Sequence, residues 1–435
     1  MATPPMSTNV GVLPLELLDS LAGVTGSYQT ARGLPPECYH DEAIFGLERQ
    51  TIFTREWLCV GRADQIPDPG DFFTITVIGE PLIVVRDSNG QVRVLSAICR
   101  HRGMIVTGPS DGDFGEWLTE QPESKGNCGT GFRCPYHYWT YAPDGRLIAA
   151  PQMTRTACFN KDAPDLSLPN FRTEIWQGFI FVNFHESAPS LGSRLGPVDE
   201  IIAHWQLTEM ATEDPAYLAN LPWNWKIMHE NSIDVYHVDR LHYPRHAVLP
   251  GKGFRALSID TDGAAIIFEH IATHKDFALS PLGIPLFPVL PELTEKERER
   301  SYVVFLPPTL LIILNSDSAF YRIVHPRSAG VIDIRQTVMV PRAYRDMPNY
   351  ADLVEVGAGM HLRLNYQDYM VDAAIQRASK SMVAPRGPYA WNEGAVAEFD
   401  EWVARRYRRG LAGASEESEP ETGTVETSIS VDAAY

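Results

Sequence analysis

The chain reads as an α+β protein in two parts: a small antiparallel β unit, then a larger unit that pairs an antiparallel sheet with helices. Three observations predict this. Three short β-rich runs separated by turn residues lie between residues 71 and 99, several more β-rich runs fill 253–341, and helical spacing falls only outside those two stretches. At 435 residues the chain is too long for one ordinary core, which suits two units.

Residues 1–40 form an N-terminal segment with no periodic pattern. The small unit is expected over 41–165. It opens with a helix over "DEAIFGLERQTIFTREWL" (41–58), where Asp41 can cap and Ile44, Phe45, Ile52 and Phe53 recur at helical spacing. "DFFTITVIGEPLIVVRDSNGQVRVLSAIC" then holds the three β runs, with "GEP" and "DSNG" as turns. The larger unit is expected over 166–410. It begins with the strand-like "TEIWQGFIFVNF", a helix over "LGPVDEIIAHWQL", and a second helix over 224–243 that ends before Pro244. "AAIIFEHIA", "SYVVFL", "TLLIIL", "AFYRIV" and "VIDIRQTVMVP" predict a sizeable antiparallel sheet, followed by helices near 365–380 and 393–409. The tail 411–435 is acidic and nearly free of large apolar residues, so it is expected to be disordered. The chain contains no internal repeat.

A net charge of −18 excludes nucleic acid and anionic membranes as partners, because binding phosphates needs clustered cations. It suits docking to a basic protein. No stretch is long and apolar enough to span a bilayer, and the start has no basic region followed by an apolar one, so a cytoplasmic location is expected. The cysteines, at 38, 59, 99, 128, 134 and 158, have no framework spacing, so metal binding is the better reading for those beside histidines.

Two cysteines stand beside histidines. "CRHRG" supplies Cys99 and His101, and "CPYHYWTY" supplies Cys134 and His137 after a gap of 32 residues. Two thiolates and two imidazoles can hold a tetrahedral zinc. They can equally hold a two-iron, two-sulfur cluster with the thiolates on one iron and the imidazoles on the other. A second constellation, "NWKIMHENSIDVYHVDRLH" (224–242), carries two histidines and several acids. Two His and a carboxylate on one face of iron(II) leave positions open for dioxygen. On an ideal helix His237 and His242 would point about 140° apart. They reach one metal only if the helix distorts or ends between them.

Taken together, these segments resemble the Rieske non-heme iron oxygenases, specifically the alpha subunits of the aromatic-ring-hydroxylating family, from about residue 40 to 410. Respiratory Rieske proteins carry an additional cysteine near each ligand pair, where this chain has Met104 and Tyr136, which points to the oxygenase branch. The resemblance implies a Rieske [2Fe-2S] domain joined to a catalytic domain of helix-grip type. Cys99 and Cys134 become ligands of one cluster iron, and His101 and His137 of the other. Glu230, Asn231, Asp234, Tyr236, His237 and His242 fall on the mononuclear-iron segment. His237 and His242 are the implied Fe(II) ligands, with a third carboxylate from a late helix. Asp368, eight positions before Gln376, fits that role better than Asp372. The resemblance further makes Asp234 a bridge from His237 to the cluster ligand His137 of a neighbouring subunit, which implies a head-to-tail homotrimer. Two features depart from the family. Tyr138 stands where Gly is usual, and the gap at 102–133 is long, read as a surface insertion in which Cys128 is a free thiol.

The expected function is a terminal oxygenase component. It would use dioxygen and NAD(P)H-derived electrons from a separate reductase, with or without a ferredoxin and a β subunit, to hydroxylate a small aromatic substrate. The chain has no dinucleotide fingerprint of its own. The aromatic reading rests on "FALSPLGIPLFPVLP" (277–291), either a loop over an apolar pocket or an ordinary core-covering loop. Oxidative N- or O-demethylation, including of quaternary ammonium compounds, is the alternative. A Rieske electron-transfer protein without oxygenase activity, or a zinc-stabilised binding module, would be of another class.

Overall fold

The computed structural model describes residues 15–107, 123–242, 254–259, 265–273 and 275–412. The insertion's middle, 108–122, and the acidic tail beyond 412 lie outside the described residues.

Residues 15–40 are not loose. A short helix α1 (Leu15–Ser20) and the chain after it bury Leu17, Leu21, Val24 and Leu34 in the main core. Asp41 does cap α2 (Glu42–Glu48), its carboxylate accepting from the Ala43 N–H at 2.7 Å. The helix then widens into a π-turn over Arg49–Phe53.

The first sheet contains β1 (Leu58–Arg62), β2 (Asp71–Val77), β3 (Glu80–Arg86), β4 (Val92–Ser96), β5 (Lys125–Asn127), and also β9 (Asn170–Trp176) and β10 (Phe179–Asn183). Its order is β1-β10-β9-β4-β3-β2-β5. The "TEIWQGFIFVNF" hairpin thus extends the first sheet. The turn expected at "GEP" sits one residue earlier: Ile78 and Gly79 take positive φ, and Glu80 and Pro81 already belong to β3. A two-residue hairpin turn of this hand matches the strand twist, and glycine enters it without strain. A three-stranded sheet of β6 (Phe132–Arg133), β7 (Thr140–Tyr141) and β8 (Leu147–Ala149) completes this part.

The second sheet, antiparallel as expected, has the order β11-β18-β17-β16-β15-β14-β13, with β12 also paired to β18. Its strands are β11 (Met210–Thr212), β12 (Ala216–Leu221), β13 (Phe254–Ile259), β14 (Ile266–Ile271), β15 (Arg300–Leu306), β16 (Leu310–Leu314), β17 (Ala319–Ser328) and β18 (Val331–Pro341). Around it lie α3 (Gly196–Ile202), α4 (Trp225–Ile233), α5 (Val238–Leu241), α6 (Glu295–Arg298), α7 (Tyr350–Ala378) and α8 (Gly394–Ala412). The helix expected near 365–380 therefore starts fifteen residues earlier, at Tyr350.

One apolar core joins both sheets: Leu58, Val60, Ile75 and Val77 of the first meet Phe305 and Ile334 of the second, with Trp225, Phe399 and Trp402 from the helices. Each such fully buried large side chain contributes about 1.5–3 kcal/mol. Within this core sits an ion pair, Lys226 Nζ on Glu48, with Trp225 Nε1 also donating to Glu48 at 2.8 Å and Tyr407 donating its hydroxyl. Beside it Tyr39 donates to Glu230, while Asp400 accepts from Leu34 N–H and Tyr389.

Burial pushes the Asp400 carboxyl up to about 6. The folded state therefore holds a proton that the unfolded chain releases near pH 4, and stability falls as pH rises between the two values. A urea series from pH 4 to 7 should show a decline of order 2 kcal/mol from this group. Asp400→Asn should flatten that decline, and an unchanged slope in the variant would contradict the assignment.

Candidate metal centres

The Cys-His segments form two matching loops side by side. Cys99 N–H donates to Met104 O at 2.8 Å, and Cys134 N–H to Trp139 O at 2.8 Å. The two cysteines are buried with Trp139, Tyr141, Leu95 and Val85 around them. The imidazoles face outward, with His101 Nδ1 and His137 Nδ1 3.1 Å apart and His137 exposed. Burial raises the Cys134 thiol, as does its neighbour Cys99, so a bound cation is what would hold both sulfurs as thiolates. Thiols inside, imidazoles outside and nitrogens aimed at one another fit a cluster whose outer iron is held by histidine.

The loops also show residues that spacing did not reveal. Tyr141 places its hydroxyl 3.2 Å from Cys99 Sγ and accepts from Arg100 N–H. Trp139 stacks flat on His101, with ring centroids 4.8 Å apart. Tyr138, the departure from the family pattern, takes φ 61. That left-handed conformation costs a non-glycine residue about 1–2 kcal/mol, which is why glycine is usual there. Its ring is solvent-exposed, with the Arg133 guanidinium 5.9 Å above it. Cys128 is a free thiol.

The second centre forms where a helix breaks. The expected helix over 224–243 stops at Asp234, whose ψ of 118 is extended. A single turn, α5, then restarts with His237 as its N-cap and His242 as its C-cap. The distortion thus precedes both histidines instead of separating them, and the short turn directs both rings to one point. His237 Nε2 and His242 Nε2 lie 3.1 Å apart. Asp368 Oδ1, from α7, is 3.2 Å from His242 Nε2 and 3.6 Å from His237 Nε2.

This donor set tests its own occupant. Two ring nitrogens converge with a buried carboxylate oxygen that has no aligned hydrogen-bond donor. Lone pairs packed so closely are repulsive unless a cation lies between them, and two His with one carboxylate suit Fe(II). His242 Nδ1 meets Gln367 Oε1 at 3.1 Å, which fixes Nδ1 as the protonated nitrogen and frees Nε2 for a metal. Although burial alone would lower it, the pKa of His242 is raised by the neighbouring Asp368 carboxylate.

Asp234 lies at the rim. Its Oδ2 is 3.1 Å from His237 Nδ1, and its Oδ1 accepts from Tyr236 N–H at 2.6 Å, which orients the carboxylate. About a fifth of its side chain is exposed, at 21%. Asp372, the competing carboxylate, is fully buried one turn beyond Asp368 and away from the histidines. Burial, and then the charge of Asp368, holds its carboxyl well above the usual range. Gln376 clamps the elements together, accepting from Asn224 N–H at 2.8 Å and donating to Tyr39 O at 2.9 Å. Asp372→Ala should therefore keep the mononuclear iron while Asp368→Ala loses it, as read by iron analysis; the reverse result would exchange the two assignments.

The family models agree with this geometry. A Rieske [2Fe-2S] domain matches residues 56–160, and a ring-hydroxylating alpha subunit catalytic domain matches residues 207–409. The chain belongs to the Rieske ring-hydroxylating oxygenases. Among the curated relatives of this chain, the glycine betaine monooxygenase oxygenase subunit of Chromohalobacter salexigens is 30% identical over 224 residues, 52% of this chain and 46% of that one. The biphenyl 2,3-dioxygenase alpha subunit of Rhodococcus jostii is 34% identical over 208 residues, 47% and 42% of the two chains. The alignments thus span about half the length of these relatives. Naphthalene 1,2-dioxygenase from Rhodococcus sp. shares the fold at TM-score 0.73 and 20% identity, over 91% of this chain and 99% of that one. Both cofactors expected of a Rieske oxygenase, the [2Fe-2S] cluster and the mononuclear iron, accord with the matched domains.

The loop 277–291 is pinned instead of free. Phe277, Ala278, Phe287 and Leu290 are buried, and buried Asp317 accepts from the N–H groups of Leu286 and Phe287. Leu286 reaches α7 at Gly357, three turns before Asp368. No helix among the described residues is long and apolar enough to cross a membrane.

Proposed function

We propose that the chain is the oxygenase component of a Rieske system that inserts oxygen from dioxygen into a small aromatic substrate. NAD(P)H-derived electrons would arrive through a separate reductase, with or without a ferredoxin. The carrying observation is the convergence of His237, His242 and Asp368 beside Asp234, in the same chain as the paired Cys-His loops. A protein that only passed electrons would have no use for a second, two-His-one-carboxylate centre.

In this reading Cys99, His101, Cys134 and His137 hold the cluster, and His237, His242 and Asp368 hold the iron. When bound, the cluster supplies single electrons and the ferrous iron supplies open positions for dioxygen. The chain's own residues do the positioning. With Nδ1 of His137 turned inward to His101, its Nε2–H is left to donate outward. Asp234 faces His237 Nδ1 with one oxygen and is open to solvent at the rim. Its carboxylate can therefore accept from His237 and from the His137 of a second copy, fixing both tautomers. A bridge between copies closes most simply as a head-to-tail homotrimer.

Oxidative demethylation is the second reading, favoured by the glycine betaine monooxygenase relative. A substrate screen with a surrogate reductase separates the two by product mass: one or two added oxygens for hydroxylation, loss of a methyl for demethylation. His237→Ala should retain the cluster spectrum and lose turnover. NAD(P)H consumption with no substrate-derived product in any assay would count against both readings.

A further inference from the structure

Arg322 is a buried cation without a counter-ion. It projects from β17 and is almost wholly enclosed, at 4% exposure. Its donors meet three neutral acceptors: Nη1 donates to Ser232 Oγ at 2.8 Å, Nη2 to Asn365 Oδ1 at 2.5 Å, and Nε to Gln336 Oε1 at 3.1 Å. No ion pair to a carboxylate involves it among the described residues, although more exposed arginines of this chain find several. A guanidinium has five N–H donors, so two remain beyond these contacts.

Its position ties it to the iron centre. Ser232 lies two residues before Asp234 at the end of α4, and Asn365 lies three before Asp368 on the same buried face of α7. One further turn back, His361 stacks flat on Phe320, with centroids 3.9 Å apart. Burial draws the His361 pKa down to about 3, so that imidazole is neutral. The acids facing this wall are Asp368, committed to the metal centre, and Asp372. Both Asp372 oxygens are buried without a hydrogen bond, and burial and the charge of Asp368 raise its pKa against the opposing charge of Arg322, with which it forms no ion pair among the described residues. Gln336 Nε2 is also buried without an acceptor. A lone cation in such surroundings is costly, more so beside a site for a divalent metal, unless an anion enters.

We propose that Arg322, with Asn365 and Gln336 orienting its guanidinium, recognises a carboxylate on the substrate, so that the substrate is a small organic anion with its reacting carbon toward His237 and His242. This rests on the oxygenase reading and narrows its substrate class. An aromatic acid and a betaine both satisfy it; a neutral arene or a simple ammonium ion does not.

The test is equilibrium binding to the anaerobic holoprotein by calorimetry, with benzoate against benzamide and γ-butyrobetaine against choline. The carboxylate member of at least one pair should bind roughly tenfold or more tightly than its partner, as expected for a hydrogen bond to a charged group. Arg322→Gln should abolish that preference with iron content and cluster spectrum unchanged, and Arg322→Lys should keep part of it. Equal affinities within both pairs, no binding by either carboxylate, or an undiminished preference in Arg322→Gln would overturn the proposal. If Arg322→Gln does not fold, the wild-type ratios and Arg322→Lys decide it. Because binding needs no reductase, lost turnover with the preference intact would count against the oxygenase reading alone. Product formation without the preference would count against Arg322 alone.

Discussion

Asp234→Asn is expected to leave both metal centres filled and to lower product formation by about 100-fold, the upper end for loss of a group that orients metal-bound histidine. The substitution is isosteric, and the amide oxygen can still accept from Tyr236 N–H, so the end of α4 should not move. What changes is the outer face. An amide nitrogen opposite His237 Nδ1, now 3.1 Å from Oδ2, sets donor against donor, and the amide's single oxygen, already accepting from Tyr236 N–H, has no room for two imidazoles as well. Reduction of the cluster by its reductase should proceed normally, because the Cys99 and Cys134 loops are untouched. The check is a single-turnover experiment with a pre-reduced cluster: iron content unchanged, cluster reoxidation slow, product absent. Normal single-turnover yield would refute the bridge.

Lys226→Met should destabilise the protein by about 3–5 kcal/mol, because it strips one partner from a buried ion pair and leaves the other charged. Lys226 and Glu48 are both fully enclosed, at 0% and 1% side-chain exposure. Removing the ammonium leaves the Glu48 charge in that enclosed environment. Trp225 and Tyr407 would still donate to it, but neutral donors do not replace a cation in that environment. Glu48→Gln combined with Lys226→Met removes both charges, keeps one acceptor oxygen for Trp225 and turns the other position into a donor that the Tyr407 hydroxyl can accept from, so the double variant should recover a large part of the loss. Chemical denaturation of the four proteins in the cycle gives the coupling directly. A Lys226→Met loss below about 1 kcal/mol, the range of exposed pairs, would show that the charges are solvated after all.

Much of the site was legible because its residues are close in sequence. Cys99 with His101, Cys134 with His137, and His237 with His242 each lie within five residues of one another, so local spacing carries the chemistry. The break at Asp234 was not legible. The hydrophobic pattern of 224–243 continues through it, and only the extended ψ of that residue reveals the restart at His237. Asp368 and Asp372 look alike as letters; geometry separates them, since only Asp368 lies with the histidines.

The fold followed the same rule. Strand pairs closed by tight turns, such as Val77 to Glu80 and Trp176 to Phe179, announce themselves through their turn residues. The first fifteen residues of α7 did not, because "YADLVEVGAGMHLRL" mixes small and polar residues and contains two glycines, which are poor helix formers. β11 and β12 are short edge segments with no alternation to find. Gln367 and Arg322 were invisible for a different reason: their partners lie 125 and 43 residues away, so their roles exist only once α7 is laid across the sheet.

The central claim, a Rieske cluster and a separate mononuclear iron in one chain, is tested most directly by metal and acid-labile sulfide analysis of the wild type beside Asp368→Ala. The wild type should hold about three irons and two sulfides per chain. Asp368→Ala should fall to about two irons with its sulfide and cluster spectrum unchanged. A colourless protein that contains zinc, or an iron count that is the same in both proteins, would contradict it.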